Sequence, residues 1–297
     1  AMRFGLFGTG PWARMAHGPA LVQHPEAELA GVWGRRAEAA AELARTLGTR
    51  PYDSPEALFE DCDAVAIALP PDVQAPLAVR AAAAGKHLLL DKPVATTVPA
   101  ARDLAEAVAD AGVASVVFFT LRFTKDTAAW VAAQSATEGW LTGRAEWLSP
   151  VFGGADSPYA ASPWRREKGA LWDTGPHALS VLLPPLGDVS LEPGAVRAAR
   201  GPGDTVSFVL RHEAGAQSTI TVSHTVPPQA AGAAAELRGS AGVSTLPERG
   251  SGGPVVPFTR AVDALLESVR TGQPHPCDVR FGLRVTQILA AVEAALD

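Results

Sequence analysis

The first 120 residues alternate between two hydrophobic rhythms. Predominantly apolar runs at 3–7, 29–33, 64–68, 87–90 and 115–119 are separated by alanine-rich stretches with helical spacing at 11–23, 36–47, 74–84 and 99–111. Short runs of this kind are what parallel strands covered on both faces present. Gly48, Gly85 and Gly112 stand where those helices should stop, and Pro70-Pro71 closes the third run. Strand–helix alternation of this kind predicts right-handed βαβ units in a doubly wound parallel sheet.

Past residue 121 the rhythm changes. Helical spacing over 126–136 is followed by period-two alternation at 144–152, 206–211, 217–222 and 236–238, divided by Gly, Pro and Ser. That alternation predicts a mostly antiparallel, open sheet, interrupted by a helix over 176–183. After a flexible loop, Gly250-Ser251-Gly252-Gly253-Pro254, helical spacing returns at 258–270 and 281–296. The expected organisation is therefore an α/β Rossmann domain over 1–121 and an α+β substrate and oligomerisation domain over 122–297. The last helix is placed to pack back on the first domain.

Composition narrows the possibilities. A chain of 297 residues suits two domains, and 47% apolar with 19% charged residues suits compact ones. A net charge of −6 gives no general attraction for nucleic acid or anionic membrane, so any phosphate must be held locally. Cys62 and Cys277 are isolated thiols without metal-type spacing, which suits a reducing cytoplasm. The start of the chain is too glycine-broken for a signal segment, and no apolar run nears the roughly 20 residues that span a bilayer.

The first strand runs into Gly8-Thr9-Gly10-Pro11-Trp12-Ala13, a G-x-G-x-x-A dinucleotide fingerprint. The first glycine makes the turn, the second admits a pyrophosphate, and the small third residue lets the helix approach. The helix N-terminus supplies N–H donors. Leu69 and Pro70, ending the third strand, and Asp91, ending the fourth, are further candidate cofactor contacts. An acid after strand two would bond the ribose of NAD, but the chain reads Trp33-Gly34-Arg35-Arg36. Two cations at a helix start oppose the helix dipole, which a 2′-phosphate would relieve. NADP is favoured over NAD on this ground; the other reading of Arg35 and Arg36 is that they are solvated.

Lys92, in Asp91-Lys92-Pro93 after strand four, stands at the strand end where such sheets bind ligands. There it could stabilise developing alkoxide charge. In Trp172-Asp173-Thr174-Gly175-Pro176-His177, the acid and imidazole are four apart and share a helix face. His177 could move a hydroxyl proton while Asp173 orients it or binds a second hydroxyl. The plainer alternatives are an exposed loop lysine, a helix-capping Asp173 and a structural His177.

Taken together these motifs resemble the Gfo/Idh/MocA oxidoreductase family across essentially the whole chain. The resemblance includes Ala81-Ala82-Ala83-Ala84-Gly85-Lys86-His87 before Asp91-Lys92-Pro93, Leu121-Arg122-Phe123 at the domain junction, and Trp164-Arg165 before Gly169-Ala170-Leu171. It implies hydride transfer between a nicotinamide and a carbon bearing a hydroxyl or carbonyl, usually of a sugar or polyol. Lys92, Asp173 and His177 match the family's catalytic lysine, aspartate and histidine. Arg122, Tyr159, Trp164, Arg165 and Trp172 are candidate substrate contacts, although large aromatics such as Trp164 and Trp172 more often serve packing. A homo-oligomer formed through the open sheet face is also implied; no metal is. The chain departs from the pattern in Asp91 for the commoner glutamate and Gln74 where many relatives carry histidine. The link from Trp164 to Asp173 is short, as is the second domain. These departures bear on the substrate more than on the reaction.

Three other classes fit less well. A short-chain dehydrogenase needs Tyr-x-x-x-Lys, yet Tyr52 and Tyr159 are followed four residues on by Glu56 and Pro163. A zinc alcohol dehydrogenase needs more than two cysteine ligands, and a methyltransferase has no use for the strand-end lysine. The main alternative is a non-catalytic NADP-binding sensor or regulator of the same fold.

Overall fold

The computed structural model describes residues 1–154 and 156–296. Five parallel strands form the first sheet in the order β2-β1-β3-β4-β5: β1 Met2–Phe7, β2 Ala27–Trp33, β3 Ala64–Ile67, β4 His87–Asp91 and β5 Ser115–Phe118. β3 and β5 are buried at every residue, as their apolar runs require. The helices between them are α1 Gly18–Gln23, α2 Ala37–Leu47, α3 Pro55–Glu60, α4 Pro71–Ala83 and α5 Val98–Ala111. The helix expected over 11–23 is present, with a π-type turn at Ala13–His17 before α1, where the buried His17 ring meets Phe258, centroids 4.1 Å apart.

A second sheet of six strands runs β11-β10-β6-β9-β8-β7. It consists of β6 Trp140–Leu148, β7 Arg197–Arg200, β8 Val206–Arg211, β9 Gln217–Ser223, β10 Gly232–Gly239 and β11 Gly242–Thr245. All its pairings are antiparallel except β6 with β9, so the expected mostly antiparallel sheet is present. Gly143, Ala145 and Trp147 of β6 are buried, while Thr142, Arg144 and Glu146 between them are exposed. The long helix α7, Pro163–Leu186, packs against β6 and β9, beside α6, Lys125–Ser135. α7 is far longer than the expected 176–183. Gly169, at φ 72°, breaks it into two stretches, and the backbone N–H of Ala170 donates to Asp204 at 3.0 Å, capping the second stretch from another segment. Pro176 lies inside that stretch rather than in its first turn.

The compact units are discontinuous in sequence. One comprises Ala1–Phe123 with Ser251–Thr286, the other Thr124–Gly250 with Gln287–Asp297. This differs from the division at 121 read from the sequence, and the reason is the apolar face of α8, Val255–Thr271. Phe258, fully buried, meets the Phe118 ring edge-on at 5.1 Å as well as His17. The segment before α9, Val279–Ala295, then hydrogen-bonds along β5, with Val117 donating to the Cys277 carbonyl at 2.7 Å and Val279 to Ser115 Oγ at 3.1 Å. Both cysteines are unpaired and buried, and burial pushes each thiol up to about 11. Among the described residues no helix is long and apolar enough to cross a membrane.

Candidate active site

In the first unit, the carboxyl ends of five parallel strands lie along one edge, and strand order reverses between β1 and β3. Such a reversal opens the crevice where α/β sheets bind ligands. Gly8 follows β1 at φ 129°, and a Cβ there would collide with the Ala68 carbonyl oxygen beyond β3. Only glycine fits this position. A Cβ on Gly10 would meet nothing within 4 Å, so the turn leaves open the space a pyrophosphate needs. These residues fit a dinucleotide. Ala13 is buried, while Thr9, Pro11, Trp12, Leu69 and Pro70 are half-buried around the same strand ends. Arg35 and Arg36 are exposed immediately before α2, whose N-cap Arg36 makes no side-chain capping bond.

The end of β4 is held by one neutral side chain. Gln74, fully buried in α4, accepts from the Asp91 N–H at 2.8 Å. Its Nε2 donates to the carbonyls of Asp91, Pro93 and Val94 at 2.9, 3.3 and 3.4 Å. The Asp91 carboxylate turns back to accept the Lys92 N–H at 2.9 Å. Lys92 therefore leaves from a backbone fixed on both sides, and its side chain remains half-exposed. His17, nearby in sequence to the glycine turn, is held neutral: burial pushes its pKa down to about 3.

In the second unit, Asp173 and His177 stand one turn apart on α7. Asp173 Oδ2 accepts from Arg165 Nε at 3.1 Å and from His224 Nε2 at 2.7 Å. Arg165 is itself flanked by aromatic faces, its guanidinium 4.3 Å from the Tyr159 centroid and 4.7 Å from that of Trp164. The structure thus brings Tyr159, Trp164, Arg165 and Asp173 together. The His177 ring stacks on Trp147, centroids 6.1 Å apart and 23° between planes, and is half-exposed. The carboxylate at 173 is held by a cation and an imidazole N–H, and the plainer alternative of a helix-capping Asp173 gives way to Asp204, which caps that stretch.

One candidate substrate contact is corrected. Trp172 is 1% exposed, donates from Nε1 to Glu293 at 2.9 Å and carries Lys168 over its ring, so it is a packing residue of the second unit. Arg122 belongs to the first unit, half-exposed with its guanidinium 5.8 Å from the Phe281 centroid. Sequence reasoning missed His224 and Asp204 entirely and saw Gln74 only as a departure. Polar residues flanking the apolar runs at 206–211 and 217–222 were the available signal for Asp204 and His224, but nothing local links positions 173, 204 and 224. Among the described residues no group of three or more His, Cys, Asp or Glu could hold a metal.

Comparison with known proteins agrees with this architecture. Residues 2–119 match the family described as "Oxidoreductase family, NAD-binding Rossmann fold", and residues 143–245 match the "GFO/IDH/MocA C-terminal domain". D-xylose 1-dehydrogenase (NADP(+)) 2 of Haloferax volcanii is 31% identical over 76% of this chain and 70% of its own length. dTDP-3,4-didehydro-2,6-dideoxy-alpha-D-glucose 3-reductase of Streptomyces antibioticus is 31% identical, but over only 40% of this chain and 37% of its own length. Among solved structures, the WlbA dehydrogenase of Bordetella pertussis, in complex with NADH and UDP-GlcNAcA, superposes with TM-score 0.84 at 24% identity, covering 99% of this chain and 96% of that one. The chain belongs to the Gfo/Idh/MocA oxidoreductase family.

Proposed function

We propose that the protein is a dehydrogenase or reductase that moves a hydride between NADP(H) and the hydroxyl- or carbonyl-bearing carbon of a sugar, polyol or related small molecule. The observation that carries the reading is Lys92 at the carboxyl end of β4, with both flanks of its backbone pinned by Gln74 and Asp91. A lysine serving only as a solvated loop residue does not call for a buried four-bond clamp beneath it.

Gly8 to Ala13, with Leu69, Pro70 and Asp91, would hold a nicotinamide dinucleotide, whose chemistry would supply or accept the hydride. His177 takes the proton of the reacting hydroxyl during oxidation and returns it during reduction. Lys92 donates to the reacting oxygen and stabilises its negative charge. Asp173, tied to Arg165 and His224, accepts a hydrogen bond from a second hydroxyl. Tyr159, Trp164, Arg165 and Arg122 serve the substrate. The preference for NADP rests on Arg35 and Arg36, exposed before α2 where an acid would have favoured NAD. Relatives point both ways: one carries NADP in its name, another was solved with NADH.

The exposed face of the second sheet, with Thr142, Arg144, Gln217, Thr219, Glu236 and Arg238, is assigned to pairing with a second copy of the chain. A cytoplasmic setting suits two unpaired thiols. The test is a titration with NADPH and NADH followed by a sugar and polyol panel read by nicotinamide absorbance. Tighter NADPH binding with turnover of at least one panel member is expected. Cofactor binding without any turnover would instead favour the sensor reading.

A further inference from the structure

The geometry points to His224 as a positioning residue that fixes the Asp173 carboxylate in its working orientation. This rests on the oxidoreductase reading above. His224 follows the last residue of β9, and its side chain is 2% exposed. Its Nε2 lies 2.7 Å from Asp173 Oδ2, and the Nδ1 atom is buried with no hydrogen-bond partner among the described residues. A carboxylate only accepts, so the ring proton is on Nε2 and points at Asp173. The ring is held from two further directions. Its backbone N–H donates to Asp204 Oδ1 at 2.8 Å, and the Phe152 ring meets it edge-on, centroids 5.7 Å apart at 90°.

Asp204 connects the arrangement into one unit. One of its oxygens accepts the His224 N–H while the other accepts the Ala170 N–H that begins the Asp173-bearing stretch of α7. The strand end that carries the imidazole and the helix that carries the carboxylate are thus registered by a single side chain. Arg165 reaches Oδ2 at 3.1 Å from a side chain 20% exposed, whereas His224 reaches the same oxygen at 2.7 Å from a buried position. A buried ring N–H there, on a residue held by Asp204 and Phe152, orients the carboxylate. A general tie between β9 and α7 would need only bulk; a positioning donor needs its N–H.

The test compares the full chain with His224→Phe, which keeps the ring volume and removes the donor, and His224→Gln, which places an amide N–H near the same point. Steady-state kinetics, NADPH affinity and thermal melting are followed together. His224→Phe should lower kcat about tenfold or more, the loss expected when a buried acceptor is stripped of its donor. NADPH affinity should hold, and His224→Gln should recover most of the rate. A folded His224→Phe with wild-type kcat overturns the proposal, as does a folded His224→Gln no better than the Phe variant. If the Phe variant does not fold, His224→Asn, whose amide is too short, replaces it: equal kcat for Asn and Gln overturns the proposal. A wild-type protein inert across the panel counts against the oxidoreductase reading alone. His224 is then judged by carbon-13 NMR of labelled aspartate. A carboxyl signal for Asp173 that shifts in His224→Phe but not in His224→Gln supports the role, and one unmoved in both overturns it.

Discussion

The strand end that carries Lys92 and the helix that carries Asp173 solve the same problem by opposite means. Each must hold a polar side chain steady beside space left for a ligand. At β4 the hold is neutral and nearby: one amide, 17 residues from Asp91, satisfies backbone groups on both sides of the lysine. On α7 the hold is charged and distant: Asp173 is fixed by Arg165 eight residues away and by His224 fifty-one residues away. The lysine needs its backbone fixed where it leaves the strand. The anion, being largely buried, needs its charge balanced and its lone pairs directed.

The strongest way to break this comparison is to remove the working groups. Lys92→Ala and His177→Ala should each lower kcat by about 10²- to 10⁴-fold, the usual worth of a positioned proton-transfer or charge-stabilising group. NADPH affinity should stay close to wild type in both, as measured by fluorescence titration. Wild-type turnover in either variant removes that residue from the mechanism.

Arg35→Ala tests the cofactor preference. Loss of a charge-assisted contact of about 1.5–3 kcal/mol should weaken NADPH at least tenfold while leaving NADH nearly unchanged. Equal weakening of both would refute the assignment to a 2′-phosphate.

Gln74→Leu sharpens the comparison by deleting the neutral clamp. It strands the Asp91 N–H and its neighbouring carbonyls in a buried place, at a cost of about 1–3 kcal/mol in denaturant melts. The turnover defect should exceed any defect in cofactor affinity. An unchanged melt would mean the loop at 91–94 holds itself.

A smaller effect concerns His17. Its folded-state pKa, about 3, lies below the 6.5 ordinary for histidine, so the unfolded chain binds the extra proton between those values. Its contribution to stability is complete above pH 6.5 and declines as pH falls toward 3, by about 1.4 kcal/mol per unit within that window. His17→Phe should flatten the acid limb of the stability curve by that slope. An unchanged acid limb would contradict the burial of a neutral ring against Phe258.

What the sequence disclosed divides along the same line. The first sheet was legible because each βα unit is closed by local chemistry: an apolar run, a glycine stop, a turn of fixed spelling. Gly8, Gly10 and Lys92 fall within such units. The second sheet was legible as alternation, but β7, Arg197–Arg200, carries no apolar rhythm and was missed. The full length of α7 was hidden because Pro176 reads as the first residue of a helix, while the cap that starts the stretch earlier, after Gly169, comes from Asp204. His224 was invisible for the same reason, since its meaning depends on a partner in another element. Trp172 was readable either as a sugar contact or, more commonly for a large aromatic, as packing; a helix turns adjacent residues to different faces, and this one faces the interior.

The central claim is that a hydride passes directly between substrate carbon and nicotinamide. It is tested most directly by incubating the protein with NADP⁺ and a polyol from the active part of the panel whose carbinol hydrogens are deuterium, then weighing the reduced cofactor by mass spectrometry. The account predicts NADPH heavier by one deuterium, at a rate that collapses in His177→Ala. Reduced cofactor carrying no deuterium would contradict it.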